Sequence, residues 1–146
     1  MRRQREDGME NVKTILFIDD NPVDRTIIER LLNKHNFNVL LAPTAEEGLE
    51  LAEEHTPDLI LLDILLPGIS GIEVCKKLKS NSLTSKIPVI FYTSIDTPKH
   101  LIDYRSYGAI DYLQKTMLPE VVLAQIEKAL ILTAEGHFKA DSWPSS

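Results

Sequence analysis

The chain of 146 residues holds one cysteine, one tryptophan and six glycines, and no apolar run in it approaches the length of a membrane span. A single thiol, Cys75, excludes an internal disulfide and makes a reducing compartment the expected home. No signal-peptide pattern precedes Val12, and without a span of about twenty apolar residues no membrane association is expected. Positive charge is also scarce. The 16 Lys and Arg against 22 Asp and Glu leave a net charge of -6, so direct binding of nucleic acid or anionic lipid is not expected. Cytoplasm is the predicted setting.

What the chain does have is a regular alternation. Five short apolar runs, at Thr14–Ile18, 37–41, Leu59–Leu62, 87–92 and 109–113, are separated by stretches of helical periodicity. Runs of this length read as buried parallel strands, and the alternation predicts a doubly wound α/β sheet. The first helix opens at Pro22 with Asn21 as its cap and carries an apolar stripe of Val23, Ile27, Ile28, Leu31 and Leu32. The second starts at Thr44 with Glu47 in a capping box and ends before Pro57; the third starts at Ser70 with Glu73 as its reciprocal partner. A short fourth helix is predicted over 98–107, stopping at Gly108, and a fifth begins at Pro119 with Val122, Ile126, Ala129 and Leu130 on one face. The organisation expected is a polar leader at 1–11, one domain at 12–133 and a tail at 134–146.

Four of the apolar runs lead into polar residues: Asp19 and Asp20, Asp63, Thr93, and Lys115. In an open α/β sheet, ligands bind beyond the carboxyl ends of the strands, so these side chains are expected to meet at one edge. Carboxylates about 4 Å apart repel by roughly 4 kcal/mol per pair at an effective dielectric near 20, and a fold keeps them together only with a compensating proton or cation. Oxygen ligands alone suit Mg²⁺ or Mn²⁺, which retain open positions for phosphate oxygens. A carboxylate can also act as nucleophile and become an acyl phosphate, with an ammonium and a hydroxyl stabilising the transferred group. Taken singly, each aspartate reads as a turn former or helix cap, Thr93 as a strand-end hydroxyl and Lys115 as a solvated charge. The joint placement on four strand ends is what favours phosphoryl chemistry.

These positions sit in the motifs Ile18-Asp19-Asp20, Leu62-Asp63-Ile64-Leu65-Leu66-Pro67-Gly68, Pro88-Val89-Ile90-Phe91-Tyr92-Thr93-Ser94 and Ala109-Ile110-Asp111-Tyr112-Leu113-Gln114-Lys115. In order and spacing they resemble the response-regulator receiver domain of two-component signalling, typified by the chemotaxis regulator, over residues 13–132. The resemblance implies a flavodoxin-like, five-stranded parallel sheet of order 2-1-3-4-5 with five helices. It implies Asp63 as phosphoacceptor, Mg²⁺ held by Asp19, Asp20, Asp63 and the carbonyl of Leu65, and a phosphoryl group contacted by Thr93, Lys115 and the backbone of Ser94. Thr93 and Tyr112 would form the switch. It further implies a sensor histidine kinase or phosphotransfer protein as donor, and no catalytic output beyond assistance to its own phosphorylation.

The chain departs from the family pattern in two respects. Thr116 stands where relatives carry proline, so the peptide after Lys115 is expected to be trans. Leu65 and Ile95, two residues beyond Asp63 and Thr93, are apolar where many relatives are polar, which predicts a shielded acyl phosphate and slow self-dephosphorylation. A stand-alone regulator is the leading expectation, acting on an unidentified output protein or a second copy of itself through the fourth helix, fifth strand and fifth helix. The alternatives are a receiver piece of a longer transcriptional regulator and an aspartyl-phosphate phosphohydrolase. The latter needs a general acid where Leu65 stands. A flavodoxin-like electron carrier would need a phosphate loop where Asp20-Asn21-Pro22 stands. His35, His55, His100 and His137 lack ligand spacing, Cys75 reads as a small buried hydrophobe, and Phe138 and Trp143 lie in the tail.

Overall fold

The computed structural model describes residues 12–98 and 101–134. Its five strands are β1 (Thr14–Ile18), β2 (Asn38–Ala42), β3 (Leu59–Leu62), β4 (Val89–Thr93) and β5 (Asp111–Gln114), and the helices among the described residues are α1 (Pro22–Lys34), α2 (Ala45–His55), α3 (Gly71–Lys79) and α4 (Pro119–Ala134). The strands form one parallel sheet in the order β2-β1-β3-β4-β5. This is the predicted doubly wound sheet.

Successive strand residues point to opposite faces, and helices cover both, so the strand interiors are apolar on both faces and polar residues such as Asn38 and Gln114 fall at strand ends. Leu16, Ile18, Ile60, Leu62, Phe91 and Tyr112 pack beneath α2 and α3, against Ala45, Ala52, Val74, Cys75 and Leu78. Ile15, Phe17, Leu59, Leu61, Ile90 and Leu113 face the other way, against Ile28 and Leu32 of α1 and Val122, Ile126 and Ala129 of α4. Asn21 caps α1 by accepting from the backbone N–H groups of Val23 and Asp24. Thr44 accepts from Glu47 N–H at the start of α2, and its hydroxyl reaches the Glu47 carboxylate. Ser70 caps α3 through Ile72 N–H, whereas Glu73 lies 3.6 Å from Lys76 instead of closing a box.

Of the predicted helix over 98–107, residues 99 and 100 lie outside the described residues, and from 103 onward turns replace it. Residues 103–109 form successive tight turns, with Ser106, Tyr107 and Gly108 N–H groups donating three residues back, to Asp103, Tyr104 and Arg105, and Ala109 N–H closing onto Tyr104. With Ser106, Tyr107 and Gly108 reaching three residues back and not four, the α-helical ladder does not form. Tyr104 is its deeply buried anchor, stacked on Tyr112 at 6.4 Å between centroids, while Leu101 stays exposed. Gly108, at φ +100°, completes the turn into β5, which therefore starts two residues later than predicted. The leader, the tail from 135, and with them Phe138, Trp143 and His137, lie outside the described residues, as does His100.

Candidate functional site

The strand order reverses between β1 and its two neighbours, β2 and β3, and the site lies at the carboxyl ends there. Ile18 of β1 is in register with Leu62 of β3, so the next residues, Asp19 and Asp63, emerge side by side. The backbone ladder continues one residue past each strand. Asp19 N–H donates to Ala42 and Asp63 N–H to Ile18, each at 3.0 Å, and Lys115 N–H donates to Thr93 at 2.9 Å. Sheet hydrogen bonding thus fixes where these side chains start.

Asp19, Asp63 and Thr93 are almost wholly buried, while Asp20 is exposed at the rim. Asp19 Oδ1 accepts from Asn21 N–H at 2.8 Å, and Asp63 Oδ1 accepts from Leu65 N–H at 3.1 Å. The Lys115 ammonium lies 2.5 Å from Asp19 Oδ2, 2.7 Å from Asp24 Oδ2 and 3.0 Å from Asp63 Oδ2. Burial pushes the Asp19 carboxyl above its ordinary pKa, the bonds to Lys115 and Asn21 counter this, and the charge of Asp63 pushes it further up. Burial pulls the Lys115 ammonium down, but hydrogen bonds to Asp19, Asp24 and Asp63 outweigh it and hold it above the usual range.

Gly71, the first residue of α3, makes the arrangement sterically feasible. A Cβ there would sit 2.1 Å from the carbonyl oxygen of Asp63, so only glycine lets the helix start against the Asp63 backbone. Gly68, at φ +85°, turns the loop that connects the two.

The donor set fits a hard divalent cation. One carboxylate oxygen from each of Asp19, Asp20 and Asp63 lies within 4.8 Å of the others. Asp19 Oδ2 is buried and paired with the Lys115 ammonium. Three carboxylates gathered this closely form an all-oxygen donor set of the kind that suits Mg²⁺ or Mn²⁺.

The remaining predicted residues surround this cluster. Leu65 meets Asp63 through its backbone N–H and exposes its side chain, and Ser94 is exposed just beyond Thr93. Thr93 Oγ1 accepts a long bond, 3.4 Å, from Ile95 N–H. Tyr112 is fully buried, its hydroxyl donating to the carbonyls of Ile95 at 3.4 Å and Thr97 at 3.3 Å. No described peptide bond is cis, so Lys115 reaches the site through the expected trans link to Thr116. Cys75 is buried, its thiol pushed up to about 11 by that burial, as expected of a small hydrophobe.

Sequence reasoning missed two residues. Asp24 stands in the first turn of α1, where the helix dipole favours any acid, so being an acid in that turn does not alone mark it as part of a site. Its place three residues after the Asn21 cap was the available signal. Gln114 was given no role, yet its amide donates to Ile95 O at 3.0 Å and Thr97 O at 3.4 Å, beside the Tyr112 hydroxyl.

A family model described as the response regulator receiver domain matches residues 15–127. The chain belongs to that family. The receiver domain is 35% identical over 116 residues to protein PilH of Pseudomonas aeruginosa, spanning 80% of this chain and 96% of that one. It is also 35% identical over 128 residues to the phosphate regulon transcriptional regulatory protein PhoB of the same species, covering 88% of this chain but 56% of PhoB. It thus spans about half the length of several transcriptional regulators it matches. Among solved structures, the CheY-like receiver domain protein of Methanospirillum hungatei superposes with a TM-score of 0.79 at 27% identity, over 86% of this chain and 99% of that one. The BeF3-activated receiver domain of Klebsiella pneumoniae RstA gives 0.74 at 35% identity, over 80% and 97%. Two-component signalling is the setting of this fold.

Proposed function

We propose that this receiver domain is a stand-alone phosphorylation switch in which Asp63 accepts a phosphoryl group from a histidine kinase, a phosphotransfer protein or a small acyl-phosphate donor. The observation that carries this reading is the convergence of the Asp63 carboxylate with Asp19, Asp20 and the Lys115 ammonium. A carboxylate oxygen of Asp63 attacks phosphorus, and the bond to the leaving group breaks: P–N for phosphohistidine, with imidazole departing, or P–O for acetyl phosphate, with acetate departing. Asp19, Asp20, Asp63 and the Leu65 carbonyl would hold Mg²⁺, which when bound would supply positive charge to offset that building on the transferring oxygens. Lys115 supplies an ammonium to the phosphoryl group, with the Thr93 hydroxyl and Ser94 backbone as further donors. Asp63 Oδ1, already held by Leu65 N–H, keeps the carboxylate oriented.

Output follows as a population shift: Thr93 moving toward the phosphoryl group favours one arrangement of Tyr112 and the 95–97 loop, and hence of the surface around β5 and α4. The match along 96% of PilH supports the stand-alone reading, while PhoB and similar relatives support a second one, a receiver within a longer transcriptional regulator. The protein is not an enzyme in its own right: a phosphohydrolase would need an acid where Leu65 exposes an aliphatic chain. No helix among the described residues is long and apolar enough to cross a membrane, which accords with a cytoplasmic site of action.

The test is incubation with acetyl phosphate and Mg²⁺, followed by intact mass. Wild type is expected to gain one phosphate and Asp63→Asn none. The apolar Leu65 and Ile95 side chains predict an acyl phosphate that persists well beyond seconds, and turnover within seconds in purified protein would refute that part.

A further inference from the structure

One ammonium in this site serves three carboxylates, and the third has no part in the acceptor machinery described above. Asp24 Oδ2 sits 2.7 Å from Lys115 Nζ, closer than Asp63 at 3.0 Å. Its side chain is 27% exposed, against 0% for Asp19 and 4% for Asp63, so it occupies the solvent side of the ammonium. The oxygens that gather as a cation site come from Asp19, Asp20 and Asp63. Two buried carboxylates already neutralise Lys115, so a third adds mutual repulsion that a purely structural ion pair would not need. Placed there, it does two things to an incoming phosphoryl donor. It occupies an N–H direction of the ammonium that the phosphoryl oxygens require, and it sets a negative charge on the approach.

We propose that Asp24 is a positioning residue that gates the acceptor site: it holds Lys115 and repels anionic donors, so that small, highly charged acyl phosphates phosphorylate Asp63 slowly. The gate rests on the reading of Asp63 as acceptor. Phosphorylation then requires Lys115 to exchange Asp24 for phosphoryl oxygens, and the barrier of that exchange rises with the charge of the donor.

The experiment compares wild type, Asp24→Asn, Asp24→Glu and Asp63→Asn with two donors, acetyl phosphate as a dianion and phosphoramidate as a species of lower net charge, at fixed Mg²⁺ and ionic strength. Asp24→Asn keeps shape and removes charge. It is expected to accelerate phosphorylation by acetyl phosphate on the order of tenfold and by phosphoramidate clearly less, with Asp24→Glu close to wild type. Rates in Asp24→Asn within twofold of wild type, or equal acceleration with both donors, would overturn the gate. Should Asp24→Asn not fold, the same donor pair with wild type at low and high salt decides. The gate requires salt to speed acetyl phosphate selectively, and no selectivity refutes it. Failure of wild type to take up phosphate, or uptake equal in Asp63→Asn, would instead remove the acceptor reading beneath it.

Discussion

The carboxyl ends of β1 and β3 are built differently from those of β4 and β5. At the first pair, buried Asp19 and Asp63 each take a bond from a backbone N–H, at 2.8 and 3.1 Å, and an ion pair from Lys115. At the second pair, the loop after Thr93 is tied down by bonds of 3.0–3.4 Å from Ile95 N–H, the Tyr112 hydroxyl and the Gln114 amide. All of these except the 3.0 Å bond from Gln114 to Ile95 are 3.3 Å or longer and individually weak, and none is an ion pair. The acidic half is therefore a fixed receptacle, and the hydroxyl half is a clasp that rearrangement can open at small cost. A phosphorylation switch needs both, since the chemistry demands fixed ligands and the signal demands an element with two arrangements.

The contrast is broken most severely at Lys115. In Lys115→Ala, Asp19 and Asp63 stay buried without their counter-charge, and metal-free stability is expected to fall by about 3 kcal/mol in urea unfolding. Mg²⁺ should restore part of that loss; a variant as stable as wild type would mean the carboxylates are not held by charge. Next comes Gly71→Ala, whose Cβ would press on the Asp63 carbonyl. A cost of about 2 kcal/mol is expected, with displacement of the acceptor visible as weakened Mg²⁺ affinity. The clasp should give less. Tyr112→Phe and Gln114→Ala are each expected to lower global stability by about 0.5–1 kcal/mol. Hydrogen exchange should accelerate chiefly at residues 95–97, and since both side chains hold the same two carbonyls, the double variant should be non-additive.

The smallest effect is one of pH. Asp19 has a folded pKa above its unfolded value, so the folded state binds its proton more tightly. Its contribution is present in acid below the ordinary aspartate range and is lost as pH rises through the raised value. Metal-free Asp19→Asn should therefore match wild type in acid and exceed it at neutral pH, a gap that Mg²⁺ narrows. Thermal unfolding across that pH range, with and without chelator, reads it.

How much of this was legible in the chain varies by element. The strands were, because apolar runs such as Leu59–Leu62 are buried on both faces and permit no polar interruption. So were the α1 and α2 starts, where Asn21 and Thr44 act locally. The 98–107 segment was not: its conformation depends on Tyr104 finding Tyr112, a contact across the fold that no local pattern announces. The convergence of Asp19, Asp63 and Lys115 was readable because sheet topology alone brings strand ends together. Asp24 lies on a helix instead, and only the reach of the Lys115 side chain shows that it joins them. Gln114 escaped for the same reason, its partners being backbone carbonyls of a neighbouring loop.

A divalent cation is expected to complete the carboxylates clustered at this edge. Calorimetric titration of chelator-treated protein with Mg²⁺ tests it directly. The structure predicts one site in wild type, much weakened in Asp20→Asn and in Asp63→Asn. No heat of binding in wild type, or binding undiminished in both variants, would contradict it.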